Sequence, residues 1–89
     1  MNNEPVDKYK ISGYLNTAIS GKLIYTFLKE IADENGEAQI SISKISNILK
    51  IAKTTVRQNL HRLERNGYIF IRKMYREDGG RIANKYILR

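Results

Sequence analysis

The stretch AKTTVRQNLHRLERNGY, residues 52–68, contains the pattern that decides the fold. Apolar residues recur at Val56, Leu60 and Leu63, a spacing that keeps them on one side of a helix with 3.6 residues per turn. A rotation of about 100° per residue places Ala52 on the same side. The stretch therefore predicts one amphipathic helix with a buried apolar stripe.

The opposite face of this predicted helix is polar and basic. It carries Thr54, Gln58, His61 and Arg65, flanked by Arg57 and Arg62, and Glu64 is the only acidic residue in the helix. Gly67 suits the left-handed conformation that commonly ends a helix. Charged faces of small domains are often simply solvated. This face has a clear excess of positive charge, which favours a nucleic-acid partner.

Length and composition restrict the class of protein. A chain of 89 residues without cysteine is one small domain that has neither disulfides nor thiolate metal ligands. The longest apolar run, residues 68–71, is far shorter than the ~20 residues that span a bilayer. The first ten residues lack the apolar segment of a signal peptide. We therefore expect a cytoplasmic protein.

The net charge of +7 is unevenly distributed. Residues 1–37 carry a net charge of −2, whereas residues 38–89 carry +9. The basic excess thus lies entirely in the part that contains the amphipathic helix and the residues after it. This asymmetry favours a polyanionic partner, and nucleic acid before a membrane surface.

The chain divides into an arm, residues 1–19, and a folded domain, residues 20–89. The arm has a polar start with Pro5, followed by apolar residues that we expect to pack on the domain or on a second subunit: Tyr9, Ile11, Tyr14, Leu15 and Ile19. Dimerisation through this arm is a hypothesis that follows from the second arrangement.

The folded domain begins with a helix and a short strand. Ser20 is the predicted N-cap of a helix from Lys22 to Asn35, which Asn35-Gly36 ends. Residues 38–40 are extended enough for one strand. The helix is expected to bury its apolar positions Leu23, Ile24, Phe27, Leu28 and Ile31.

A second, short helix is predicted to begin at Ser41 or Ser43. Its apolar positions are Ile42, Ile45, Ile48 and Leu49. Only Lys50 and Ile51 separate it from the long helix, so the two helices are expected to cross at a steep angle. This is the arrangement of a helix-turn-helix, whose second helix enters the major groove of DNA.

The pattern after Gly67 is that of extended chain. Residues 68–75 are rich in aromatic and β-branched residues, residues 76–81 contain the Gly pair of a hairpin loop, and residues 82–88 form the returning strand. The hairpin brings a basic loop, with Arg76, Arg81 and Lys85, close to the amphipathic helix. The predicted fold class is therefore α+β, with three helices, a short strand and a C-terminal hairpin.

From residue 42 onward, the segment ISKISNILKIAKTTVRQNLHRLERNGYI and the hairpin that ends in NKYIL resemble the winged helix-turn-helix family of DNA-binding regulators. With the first helix, the resemblance covers about three-quarters of the chain. The sequence is most similar to small prokaryotic regulators and to N-terminal domains of plasmid or phage replication initiators. The resemblance implies sequence-specific binding of duplex DNA, usually by a homodimer, with regulation of transcription or initiation of replication as the output.

The resemblance also implies which residues contact DNA. The recognition helix would meet base edges through Lys53, Thr54, Thr55, Arg57, Gln58 and His61. Phosphates would be met by Ser43, Lys44, Arg62, Arg76 and Arg81. Arg57 and Gln58 have suitable chemistry for guanine and adenine, respectively. Lys53, like Arg76 and Arg81, is better suited to neutralising phosphates, and Thr55 is equally suited to packing against the second helix.

Two residues depart from the family pattern. Lys50 occupies a turn position where Gly is frequent, and Ala52 occupies the N-cap position where Ser or Thr is common. An Ala at this position typically costs about 1 kcal/mol against Ser, because its side chain accepts no hydrogen bond. We therefore expect a shift in the turn and in the placement of Thr54 and Thr55.

Other functions have weaker support in the sequence. His61 is the only histidine, and Gly79-Gly80 lies in a hairpin rather than between a strand and a helix, so neither a catalytic triad nor a nucleotide loop is predicted. No cofactor or metal site is predicted either. A protein-interaction module remains an alternative, as does an RNA-binding domain, although the exposed aromatics of an RNA-stacking platform are not evident.

Overall fold

The structure is a computed structural model, and it describes residues 19–89. The predicted arm lies outside these residues, apart from Ile19. In chain order the elements are α1 (helical over residues 19–31), β1 (Glu37–Gln39), α2 (Ile42–Leu49), α3 (Lys53–Arg65), β2 (Ile69–Tyr75) and β3 (Arg81–Leu88). The predicted α+β fold with three helices, a short strand and a C-terminal hairpin is confirmed.

The three strands form one antiparallel sheet in the order β1-β3-β2. Tyr86 in the central strand pairs with Ala38 on one side and Ile71 on the other. The regular pairing of β2 with β3 is interrupted between Arg72 and Met74. The β2–β3 hairpin, hereafter the wing, follows α3 in the chain.

The core lies between the three helices and the sheet. Full burial of an aliphatic or aromatic side chain contributes roughly 1.5–3 kcal/mol, so a few such residues determine the fold. Every described element contributes at least one buried apolar residue, and Ile40 directly follows β1. The buried apolar residues are Ile24, Leu28, Ala38, Ile40, Ile45, Val56, Leu60, Ile69 and Tyr86.

The first helix differs from its prediction at both ends. Residues 19–21 are already helical, so Ser20 is not the N-cap. The helix ends at residue 31, four residues before Asn35. Asp33 ends it early, since its carboxylate accepts hydrogen bonds from the backbone N–H groups of Asn35 and Glu37 at 2.9 and 3.0 Å. This side chain therefore stabilises a turn that competes with the helix.

Four apolar residues were expected to be buried but are exposed. Leu23 and Ile31 on α1 are each 42% exposed, and Ile48 on α2 is 49% exposed. Ala52 is exposed because it precedes α3 as the N-cap residue, where the helical rotation no longer applies. Helical spacing correctly predicted which side of each helix is buried, but it did not predict how wide the buried stripe on that side is.

Ser41, rather than Ser43, caps α2. Its hydroxyl accepts a hydrogen bond from the backbone N–H of Lys44 at 3.0 Å. This bond satisfies one of the N–H groups that have no partner within the helix. Ser43 is exposed in the first turn of α2.

Candidate nucleic-acid interface

The turn between α2 and α3 is closed by Ser46. Its carbonyl oxygen accepts hydrogen bonds from the backbone N–H groups of Lys50 and Ile51. Its hydroxyl donates to the carbonyl oxygen of Ile51 at 2.5 Å. Lys50 adopts a left-handed backbone conformation, with φ 60° and ψ 42°, which is the conformation that Gly adopts most easily. The role of Ser46 was missed, because its side-chain contact is visible only in the folded turn.

The first turn of α3 has no side-chain cap. Ala52 makes no side-chain hydrogen bond, and its carbonyl oxygen accepts the Val56 N–H at 2.9 Å. There is no acidic residue in this turn. The partial positive charge of the helix N-terminus is therefore not neutralised locally. Lys53 and Thr54 are exposed at this end of the helix.

One row of α3 points away from the core. Thr54, Gln58 and Arg65, at positions i, i+4 and i+11, lie about opposite the buried Val56 and Leu60, and all three are exposed. The row combines hydrogen-bonding groups near the helix N-terminus with a cation near the C-terminus. These are the features that the sequence predicts for a helix in the major groove.

A second row of α3 faces the wing. Arg57, His61 and Glu64 are at positions i, i+4 and i+7. Glu64 accepts a hydrogen bond from the backbone N–H of Ile71 in β2 at 3.0 Å. Arg57 and His61 line a cleft that the wing strands close from the other side. Both residues are exposed, but they lie on the side of α3 that faces the hairpin, next to the outer row.

Thr55 is half-buried, in contrast to its exposed neighbour Thr54. Its carbonyl oxygen accepts a hydrogen bond from the side-chain amide of Asn59 at 2.9 Å. Asn59 is only 2% exposed and was not predicted as part of the interior. At Gly21 the first helix approaches it closely, since a Cβ there would lie 3.0 Å from Asn59 Oδ1. The absence of a side chain at Gly21 thus lets α1 contact α3.

The loop of the wing is ordered by Asp78. Its carboxylate accepts a hydrogen bond from the Gly80 N–H at 2.9 Å and lies 3.3 Å from Arg76 Nε. These two contacts, the backbone bond first and the guanidinium second, lower the pKa of Asp78. Both partners of the ion pair are exposed, and such pairs contribute little energy. Arg76 is consequently held at the tip of the wing by a contact that other anions can replace.

Arg81 is the first residue of β3 rather than a loop residue. Its guanidinium donates to Asn84 Oδ1 at 3.0 Å and lies 5.5 Å from the centre of the Tyr75 ring. The prediction that Lys85 belongs to the basic loop is wrong. Lys85 lies in the central strand, where its Nζ is 3.3 Å from Glu37 Oε1 in β1.

The remaining predicted contact residues are exposed at separate places around the outer row. Ser43 and Lys44 occupy the first turn of α2, and Arg62 lies on the side of α3 away from the wing. Lys73 in β2 and Asn84 in β3, which sequence reasoning did not select, line the same cleft as Arg57. Their position depends on the register of the hairpin, which the sequence pattern did not specify.

Within residues 19–89 there is no cluster of three His, Asp or Glu residues able to hold a metal ion. None of the described helices is long and apolar enough to cross a membrane.

The chain matches a family of known proteins and is similar in structure to a known regulator. No curated protein matches the chain. Among solved structures it is similar to the transcriptional regulator SlyA, with 17% sequence identity and a TM-score of 0.49. The match covers 97% of this chain and 63% of that one, so the chain spans less than two-thirds of the length of the SlyA chain. The family described as "Helix-turn-helix domain" matches residues 19–69, from α1 to the start of β2, and the chain belongs to this family.

Proposed function

We propose that the chain binds duplex DNA in a sequence-specific manner and regulates transcription. In this proposal α3 lies in the major groove and the wing lies on the phosphate backbone. The observation that carries it is the outer row of α3, which is exposed, free of acidic residues and part of a helix-turn-helix. The net charge of +9 on residues 38–89 supports the same partner.

Base readout is assigned to the N-terminal half of the outer face. Gln58 can pair with adenine through two hydrogen bonds, and Lys53 and Thr54 lie one turn before it. A good pair of this kind supplies about 1–3 kcal/mol of discrimination between bases. Thr55 is a poorer candidate because it is half-buried, and its carbonyl oxygen is already bonded to Asn59.

Phosphate contacts are assigned to the residues that surround this face. Ser43 and Lys44 lie at the start of α2, Arg62 lies on the side of α3, and Arg76 and Arg81 lie on the wing. Such contacts fix the orientation of the protein on the duplex and supply affinity without sequence information. The four cations among them are spread over three elements, which is consistent with contacts to more than one stretch of backbone.

We further propose that the chain acts as a homodimer, since one recognition helix reads only a few base pairs. An apolar stripe along α1 supports this proposal. Ile19, Leu23, Phe27 and Ile31 follow one another at intervals of four residues, and Ile19 is 62% exposed. Light scattering tests the dimer: we expect twice the chain mass for the wild type and the monomer mass for Leu23→Glu. A monomeric wild type would contradict it.

The decisive experiment is fluorescence anisotropy of a labelled random-sequence duplex, titrated with the full chain at several salt concentrations. Four phosphate contacts predict a log–log slope of roughly −4 per protomer. Lys29→Ala is the control variant, because it removes one positive charge from α1, away from the proposed DNA-binding face. We expect this variant to bind as the wild type does.

A protein-interaction module is the second candidate, and the observation that favours it is the exposure of Ile19, Leu23 and Ile31 on α1. The two candidates differ in their dependence on salt, because apolar contacts respond weakly to ionic strength. Failure to bind any duplex at low salt would contradict the DNA-binding proposal and leave the interaction module.

A further inference from the structure

A cleft of about 350 Å³ lies between α3 and the wing. It separates the wing-facing row of the helix from the inner face of the hairpin. Its polar lining comes from three elements: Arg57 and His61 from α3, Lys73 from β2, and Arg81, Asn84 and Tyr86 from β3. The apolar residues Ile42, Leu60 and Ile71 complete the wall.

In the part of the chain that the structure describes, the lining contains basic groups and no acidic one. Arg57, Lys73 and Arg81 are cations, His61 is a further nitrogen donor, and no Asp or Glu is among the lining residues. Glu64, on the same row of α3, directs its carboxylate to the Ile71 N–H. Three cations around one small space repel one another, which favours an anion at this position.

A buried hydroxyl provides an additional donor. Tyr86 is 1% exposed, and its hydroxyl has no hydrogen-bond partner among residues 19–89. An unpartnered buried polar group usually costs about 1–3 kcal/mol, so its presence in the wall of a polar cleft requires an explanation. The nearby Asn84 carbonyl oxygen accepts a hydrogen bond from Arg81 and none from the phenol.

The phenol is a donor at neutral pH. Burial raises the pKa of Tyr86, while contact with Asn84 and the charges of Arg57 and Arg81 act in the opposite direction. Tyr86 lines the cleft together with both arginines, whose charges act on its phenol. An oxyanion in the cleft would supply the acceptor that the hydroxyl lacks, once the long, exposed arginine side chains turn to admit it.

We propose that this cleft binds a phosphate group. A phosphate offers several acceptor oxygens to guanidinium, ammonium and phenol donors, and hydrogen bonds of this charge-assisted kind are the strong ones. The group is either a backbone phosphate of the bound duplex or a free phosphate-bearing small molecule. The first source rests on the proposed DNA binding, whereas the second does not.

Binding is tested on the full-length, ¹⁵N-labelled protein with inorganic phosphate as the probe. We expect chemical-shift changes that concentrate at the lining residues of α3, β2 and β3. Lys73→Gln should weaken phosphate binding about tenfold, the loss expected for one charge-assisted contact. Tyr86→Phe should also weaken it, although the fold is retained.

Arg72→Gln is the matched control. Arg72 is adjacent to Lys73, exposed, and absent from the lining of the cleft. The variant loses one positive charge at nearly the same place, so it should leave phosphate affinity unchanged. Equal losses for Arg72→Gln and Lys73→Gln would overturn the proposal, because they would show general charge attraction only. Shift changes scattered over the surface would overturn it as well.

The two sources are distinguished by repeating the phosphate titration on the protein–duplex complex. Loss of the cleft signals in the complex assigns the site to a backbone phosphate. If the cleft signals persist in the complex and added phosphate changes the affinity for the duplex, the site is assigned to a free phosphate group that regulates the protein. If the protein binds the duplex in a salt-dependent way but phosphate causes no shift changes at the cleft, the cleft site is refuted and the proposed function is left intact.

Discussion

Glu64, in the last turn of α3, accepts a hydrogen bond from the backbone N–H of Ile71 in β2 at 3.0 Å. Since β2 is an edge strand of the sheet that residues 19–89 form, its outward N–H groups have no strand partner within these residues. The carboxylate therefore protects this edge and joins α3 to the wing. It also explains why the one acidic residue in α3 lies on the side facing the hairpin.

Glu64→Ala is expected to lower the free energy of unfolding by about 1–2 kcal/mol, because the Ile71 N–H loses a charged acceptor in a half-buried place. Glu64→Gln should cost less, since its amide oxygen still accepts the bond. Urea denaturation measures both changes, and faster amide exchange at Ile71 locates them. Glu77→Ala, in the exposed loop, is the control. If this variant and Glu64→Ala lost equal stability, the bond would have no structural role.

Gly67→Ala is expected to destabilise the protein by about 1 kcal/mol. Gly67 has a φ of +82°, and no atom lies within 4 Å of the place its Cβ would take, so the cost arises from the backbone alone. The N–H groups of Gly67 and Tyr68 bond to the carbonyl oxygens of Glu64 and Leu63, a Schellman motif that ends α3.

Gly67→Asn separates this explanation from loss of space. Asn tolerates the left-handed conformation better than Ala does, so its melting temperature should lie between those of Gly67→Ala and the wild type. A larger loss for Asn than for Ala would point to a steric cause.

Gln58→Ala is expected to reduce discrimination between a selected duplex and a random one, with little change in affinity for the random duplex. Arg81→Ala should weaken binding to both duplexes by the same factor, because a phosphate contact carries no base information. Anisotropy titrations measure the ratio of the affinities for the selected and the random duplex. The assignment of base readout would be wrong if Gln58→Ala weakened both duplexes equally.

Tyr86→Phe is expected to change the dependence of stability on pH. An exposed phenol ionises near pH 10, whereas the pKa of Tyr86 in the fold is raised by burial. The unfolded chain therefore releases this proton first, and the free energy of unfolding falls as the pH rises above about 10. Below that pH the contribution is fully present.

The slope of stability against alkaline pH should be smaller in Tyr86→Phe than in the wild type. Tyr75→Phe, which removes an exposed phenol from the same hairpin, is the matched control for the loss of one hydroxyl. At neutral pH, Tyr86→Phe should be neutral or slightly stabilising, because the hydroxyl it removes is unpartnered. Identical alkaline slopes in all three proteins would show that the Tyr86 phenol ionises alike in the folded and unfolded chains.

The sequence predicted the elements that have a strong local signal. The period of Val56, Leu60 and Leu63 identified α3, and Gly67 identified its end. Boundaries that depend on a side-chain hydrogen bond were missed, as Asp33 shows at the end of α1. Exposure of Leu23 and Ile48 was also missed, since periodicity indicates a direction but not how far a neighbouring element extends.

The candidate site was predictable where it depends on one helix. The outer row of α3 follows from rotation along its own sequence. The wing-facing cleft does not, because Lys73 and Asn84 reach it through the pairing register of two strands. Asn59 and Ser46 were missed for a similar reason: their partners are backbone groups whose positions exist only after folding.

The position of β3 in the middle of the sheet has a consequence for how the chain folds. Among the described residues, Ala38 and Ile71 are joined only through Tyr86, so β1 and β2 gain their strand partner there when β3 is in place. The pairing of residues 37–39 with residues 85–87 closes a long loop, which is entropically slow compared with helix formation. During synthesis the three helices therefore emerge before the sheet that covers their apolar sides, and the domain completes its core only when residue 88 has left the ribosome.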